Sequence, residues 1–196
     1  MSVLLILYNN NGAVICSDSR ENSGPINFNN TIKVRYNESI IVGQIGLYSY
    51  NNIDYKKIIT EELLKGKELN QILNGKYKNM NITLKESIPK DEMLTVFYAK
   101  KNGEIGVYDI KKNTELKNLA TGTTGYYKNS GTSRNVFDSM IDCYLKFHEN
   151  ESVESLLKKA EYIIDGFIKL EEGYEKLTNT PSLVGGKVQF AYINFK

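Results

Sequence analysis

The residues here that could do chemistry stand at the very start of the chain, which opens MSVLLILYNNNGAVICSDSR. Ser2 is small, the kind of residue that leaves a preceding methionine open to removal. With Met1 gone, Ser2 would carry a free α-amine beside its own hydroxyl. A serine hydroxyl is a weak nucleophile until a base takes its proton, and an α-amine with a pKa of about 8 is partly neutral near pH 7. The serine would then bring its own base. An Asp and an Arg, Asp18 and Arg20, wait near the end of the next apolar run.

The other reactive residue types narrow the chemistry. His148 is the only histidine, and it falls in LKFHENES, the polar end of an expected helix. A Ser-His-Asp triad or a His-rich metal site would have to use it. Hydrolysis in this chain should therefore not depend on histidine. Cys16 and Cys143 lie far apart, with no CxxC spacing and no metal-ligand partners. Cys16 sits inside AVICS and reads as a small core residue. Two such thiols fit a reducing cytoplasm.

Composition sets the frame for these residues. A chain of 196 residues is expected to form one domain spanning 1–196. Its 41% hydrophobic and 11% aromatic content is enough for a sizeable core. The net charge is +2, with Lys and Glu mixed throughout and no basic stripe, which argues against nucleic acid. The longest apolar run is about six residues, against the roughly 20 of a membrane helix. No basic region followed by an apolar core of signal-peptide length opens the chain, so a cytoplasmic location is expected.

The elements that must position the candidate residues follow from periodicity. SVLLILY and AVICSDS read as a strand hairpin around NNNG, and RENSGPINFNN as a loop. TIKVRYN and SIIVGQIG read as two more strands around NES. The period then changes. YNNIDYKKIITEELLKG carries Ile53, Ile58, Ile59, Leu63 and Leu64 at helical spacing. KELNQILNGKYKNMNITLKESI is a weaker helical stretch beyond Gly66. MLTVFYAKK, GEIGVYDIKKN and ELKNLAT are strands with turns at Asn102-Gly103 and Lys112-Asn113. A third helix is expected within TGTTGYYKNSGTSRNVFDSMIDCYLKF. A fourth, SVESLLKKAEYIIDGFIKLEE, opens with a cap from Ser152 to Ser155. KVQFAYINF is a final strand. Single strands do not alternate with single helices, so a doubly wound sheet is excluded. Two antiparallel sheets stacked between helix pairs, an α+β arrangement, account for the order.

In this order the motifs resemble the β-type subunits of the proteasome superfamily, which includes HslV and the Anbu proteins. The resemblance covers essentially the whole chain. GAVICSDSRENSG looks like the family's hairpin strand with its Asp-x-Arg. IKVRYNESIIVGQIG resembles the lysine-bearing strand and the turn at the oxyanion site. ATGTTGYY resembles the Gly-Ser-Gly turn that opens the third helix, and VGGKVQFAYINF the Gly-Gly and last strand. The family's nucleophile lies sixteen residues before its Asp, the interval from Ser2 to Asp18. The fold implied is the four-layer αββα sandwich of the N-terminal-nucleophile (Ntn) hydrolases.

The resemblance also implies roles. Ser2 would be the nucleophile of a threonine/serine-type endopeptidase. Lys33 would lie beside it and lower the pKa of the amine and hydroxyl. Asp18 would hold Lys33, with Arg20 in support. The backbone N–H of Gly46 would face the developing oxyanion. Thr123 could hydrogen-bond near the amine. Glu21 and Gln44 fall near the family's first specificity pocket and would give it a polar lining. No cofactor and no metal ion is implied. The substrate would be a peptide or unfolded protein, degraded inside a self-assembled homo-oligomeric ring or arc. The chain carries no ATP-binding motif, so any ATPase unfoldase would be a separate partner. The family pattern is not complete: Leu47 replaces a glycine of the oxyanion turn, and Pro181 and Val184 stand where β subunits carry an Asp and a Ser. Two other readings are therefore an inactive scaffold subunit and an Ntn amidase acting on a small acylated substrate.

Overall fold

A computed structural model describes residues 3–23, 26–76, 81–89, 92, 94–109, 114–117, 125–129, 136–137, 139, 141, 145, 150–182 and 184–195. The chain begins as a hairpin of β1 (Leu4–Asn9) and β2 (Gly12–Ser17). Asn9 closes it: its Oδ1 accepts from the N–H groups of Asn11 at 2.9 Å and Gly12 at 3.3 Å. Two short strands follow, β3 (Glu21–Ser23) and β4 (Ile26–Phe28), and then β5 (Val34–Tyr36) and β6 (Ile40–Gly46). A small hairpin of β7 (Ser49–Tyr50) and β8 (Ile53–Asp54) leads into α1 (Tyr55–Leu64) and α2 (Leu69–Asn74). Next come β9 (Leu94–Lys100), β10 (Ile105–Asp109), β11 (Thr114–Lys117) and β12 (Gly125–Asn129). The chain closes with α3 (Val153–Thr178) and β13 (Gln189–Asn194).

The strands form two larger antiparallel sheets, in the orders β12-β1-β2-β13 and β11-β10-β9-β6-β5. The fold is mixed α+β. Alternation along β1 and β2 explains their unbroken apolar runs, because both faces of each strand are buried. Leu5, Leu7, Val14 and Cys16 pack with Ile163, Ile164 and Phe167 of α3 and with Phe137 and Ile141. Leu4, Ile6, Ala13 and Ile15 turn the other way, onto Ile41, Ile45, Phe97 and Val107 of the second sheet. That sheet's opposite face, with Val42, Val96 and Tyr98, packs against Ile58, Ile59 and Leu63 of α1 and Leu69, Ile72 and Leu73 of α2. Among the described residues no helix is long and apolar enough to cross a membrane.

Caps set the helix limits. Asp54 accepts from Lys57 N–H at 2.8 Å at the start of α1. Ser152 accepts from Ser155 N–H at 3.2 Å at the start of α3, as the sequence suggested. Asn179 ends α3 in the left-handed conformation at φ 54°.

Four local expectations are corrected. The first helix begins at Tyr55 and not near Tyr50, because Asn51 and Asn52 take positive φ and close the β7-β8 hairpin. The loop after Arg20 contains a strand pair, β3 with β4. Among the described residues the second helical stretch forms α2 alone, since its next residue, Gly75, leaves helical geometry at ψ 142°. Residues 125–129, expected where the third helix starts, form β12 and pair with β1. The pairing fills the second hydrogen-bonding edge of a strand buried on both faces, which no side chain pattern in the segment itself announces.

At Gly43 the second sheet lies directly against side chains of the first. A Cβ built there would lie 2.7 Å from Leu4 Cδ1 and 2.8 Å from Ile15 Cγ2. Gly43→Ala is expected to lower the free energy of urea unfolding by about 1–3 kcal/mol through overpacking. An unchanged midpoint and slope would show that the sheets have slack at this point.

Candidate active site

The end of β2 turns Asp18 into the interior, where its side chain is fully buried. A buried carboxylate needs donors, and four converge on it. Lys33 Nζ donates to Oδ1 at 2.6 Å, and the Val3 N–H donates to the same oxygen at 3.0 Å. The N–H groups of Arg20 and Gly185 each donate to Oδ2 at 3.2 Å. Lys33 is equally enclosed. Burial pushes the Asp18 carboxyl above its ordinary range; the Lys33 charge and hydrogen bond, then the Gly185 and Val3 amides, pull it back. Burial likewise pushes the Lys33 ammonium below the usual lysine value, opposed by Asp18 and more weakly by Glu21.

Lys33 stands one residue ahead of β5 and is held by its backbone on both sides. Its N–H donates to Gln189 Oε1 at 2.8 Å, and its carbonyl accepts from Gln44 N–H at 3.0 Å. The Gln189 amide also donates to the Thr31 carbonyl at 2.6 Å. Gln189 therefore ties the lead-in of β5 to β13. The sequence reading missed it, although a Gln that shares a strand face with Ala191 and Ile193 is a polar residue at an inward position.

Arg20 secures the other side. Its Nε donates to Asn29 Oδ1 at 2.9 Å, and one terminal nitrogen donates to Glu175 Oε2 at 3.1 Å and to the Ser182 carbonyl at 3.0 Å. The guanidinium lies against Gly185 so closely that a Cβ there would be 2.5 Å from Arg20 Cζ. Glycine at 185 thus lets Arg20 pass while its own N–H reaches Asp18.

The remaining predicted residues divide. Gly46 ends β6 at φ 97°, paired with Leu94, a conformation that favours glycine. Gln44 is fully buried; its Nε2 donates to the Leu47 carbonyl at 3.3 Å, and its Oε1 has no partner among the described residues. Glu21 accepts from Thr31 Oγ1 at 2.7 Å. Lys56 shares this neighbourhood: burial lowers its pKa, opposed by Glu21, and its ammonium sits 4.5 Å from the centre of the Tyr48 ring. Pro181 is exposed. Ser182 is buried with its hydroxyl engaged, donating to the Val184 carbonyl at 2.6 Å and lying 3.3 Å from Glu171 Oε2. Burial raises the Cys16 thiol well above its ordinary value, which suits a core residue and not a nucleophile. Ser2, Thr123, Cys143 and His148 lie outside the described residues.

The pair makes stability depend on pH in a defined direction. Lys33→Met leaves Asp18 buried with three backbone N–H groups and no cation, so its folded pKa rises further above the unfolded value of about 3.9. A raised carboxyl holds in the folded state a proton that the unfolded chain releases. That stability is complete below the unfolded pKa and is lost as pH rises through the folded one. Relative to wild type at each pH, the variant is expected to lose about 3 kcal/mol near neutrality and clearly less in mild acid. Equal losses at both, measured by urea unfolding, would mean that Asp18 does not take up the proton.

No family model matches the chain, and no curated protein sequence matches it. Among solved structures the chain is similar to Anbu (ancestral beta-subunit) from Yersinia bercovieri, with a TM-score of 0.60 and 16% sequence identity. The match covers 98% of this chain and 82% of that chain. At that identity the likeness speaks for architecture alone, and on that point it agrees with the motifs: the chain has a proteasome-like Ntn-hydrolase fold.

Proposed function

We propose that this chain is an N-terminal-nucleophile peptidase subunit of proteasome type, folded as one domain over residues 1–196 in a four-layer αββα sandwich. One observation carries the reading. The carboxylate that holds the buried Lys33 also accepts from the N–H of Val3, and that nitrogen is bonded directly to the carbonyl carbon of Ser2. The strand that begins at Val3 is thus tied by its first amide to the Asp18–Lys33 pair, which supports a role for the residue ahead of it.

On this reading the chemistry is that of a serine carrying its own base. With Met1 removed, the Ser2 amine takes the hydroxyl proton, directly or through a water. The Lys33 cation, kept in place by Asp18, favours the alkoxide by proximity of opposite charge. The hydroxyl oxygen attacks the scissile carbonyl, the Gly46 N–H receives the oxyanion, and the amine returns its proton to the departing peptide amine. Water then cleaves the acyl-enzyme. Thr123 assists the amine, and Arg20 supports Asp18 through Gly185. Glu21 and Gln44 line a polar pocket that disfavours large apolar side chains. The subunit works within a homo-oligomeric ring or arc in the cytoplasm, with unfolded protein delivered by a separate ATPase.

A second reading, a catalytically inactive scaffold subunit, draws on the loop before β13. Pro181 and Val184 offer the amine no polar side chain, and the Ser182 hydroxyl is already committed to Val184.

Intact mass of the untagged protein separates the two, followed by treatment with a peptide β-lactone and a panel of peptide and small amide substrates. The peptidase reading expects loss of Met1 and a single adduct on Ser2. It expects turnover to fall by at least about a thousandfold in Ser2→Ala and in Lys33→Ala, with the far-UV circular dichroism of both variants unchanged. Retention of Met1 with no adduct would favour the scaffold, and turnover confined to small amides would favour an amidase.

A further inference from the structure

β5 and the start of α1 bring together two cations, Arg35 and Lys56. Arg35 pairs with Val42 across β5 and β6, and directly paired strand residues share a face. Val42 packs beneath α1 and α2, so Arg35 lies on that face. Gln44, two residues further along β6 and paired with the core residue Val96, lies on it too. Lys56 enters the same space from the first turn of α1. Both cations are half-buried. The Arg35 charge acts on the Lys56 ammonium, which burial already holds below the usual lysine value.

Among the described residues neither cation forms an ion pair. Two carboxylates bear on Lys56, and both are engaged. Glu21 accepts from Thr31 Oγ1 at 2.7 Å, and Asp54 accepts from Lys57 N–H at 2.8 Å as the cap of α1. The first turn of α1 holds no acidic residue, so the positive end of the helix adds to the two side-chain charges. Arg35 Nε is buried with no acceptor, and Gln44 Oε1 is buried with no donor. Buried polar atoms are normally paired. An unpaired donor and an unpaired acceptor on one face point to a ligand that offers both.

The chemistry of that ligand follows. An arginine Nε and a terminal nitrogen grip a carboxylate side-on, and a lysine ammonium adds a further donor. Gln44 Oε1 is left to accept an N–H. An acidic residue within a peptide supplies the carboxylate and the amide N–H together. A carboxamide side chain could take the same hydrogen bonds but would leave both positive charges unmatched. The cluster also borders Lys33: the Gln44 N–H donates to the Lys33 carbonyl at 3.0 Å, and the Lys56 charge acts on the Lys33 ammonium. Gly46 lies two residues beyond Gln44, about 7 Å along the strand.

We infer that Arg35 and Lys56, with Gln44, select a peptide that carries an acidic side chain on the residue whose carbonyl is attacked. The inference deepens the peptidase reading and rests on it for the reaction, though not for the binding.

The test uses acetylated tripeptide aminocoumarins that differ only in the last residue: Glu, Gln, Leu or Lys. Wild type should cleave the Glu peptide with a kcat/KM about tenfold above that for Gln. Arg35→Gln with Lys56→Gln should bring that ratio to about one, while Lys56→Arg, which keeps the charge, should keep the preference. Binding is read separately by calorimetry on the Ser2→Ala variant, with acetyl-Ala-Ala-Glu-amide and its Gln counterpart. The Glu peptide should bind about tenfold more tightly. Cleavage with no preference for Glu over Gln would overturn the acidic pocket and leave the peptidase reading standing. Tighter binding of the Glu peptide with no cleavage of any peptide would remove the peptidase reading and leave the carboxylate site. Equal binding of the two peptides, or none of either, would overturn the site.

Discussion

Two opposite charges buried out of reach of bulk solvent are the constraint on which much of this molecule turns. Asp18 and Lys33 are both fully enclosed and 2.6 Å apart. Their attraction alone does not offset the loss of hydration. What makes the pair tenable is that the carboxylate is fully used, taking the ammonium and three main-chain N–H groups. Those groups come from Val3, Arg20 and Gly185. The pair therefore dictates where the first strand, the turn after β2 and the loop before β13 must run.

The surrounding side chains read as supports for that requirement. Gln189 and Gln44 hold Lys33 by its backbone from two different strands. Arg20 pins the loop carrying Gly185 through Ser182 and reaches Glu175 on α3. Helix, strand end and loop are thus joined by one guanidinium, whose planar fork suits several acceptors at once. Lysine at position 20 could not reproduce that geometry.

Much of this was legible before any coordinates. The unbroken apolar runs of β1 and β2 announced strands buried on both faces, and the change to helical spacing at Ile58, Ile59 and Leu63 announced α1. The meeting of Asp18 and Lys33 was anticipated only through the family likeness, since fourteen residues of unlike composition separate them. The pairing of β12 with β1 was not legible, because an edge partner is chosen by an open backbone and not by side chain pattern. Gln189 was overlooked for a related reason: its partners are carbonyl and amide groups, which leave no mark in a sequence. The Gly185 amide was flagged only as part of a Gly-Gly pair, while its contact with Asp18 depends on how Arg20 lies across it.

The anchoring of Val3 has a practical side. Because its N–H is spent on Asp18 and its carbonyl accepts from Ser17 Oγ at 2.6 Å, the third residue is clamped at both ends. Anything fused ahead of it must leave the fold from beside the Lys33 ammonium. An affinity handle at that end would join the fold next to the buried charges, whereas β13 ends at an exposed Asn194. For purification and labelling, the two termini of this chain are not equivalent, and the carboxyl end is the one to extend.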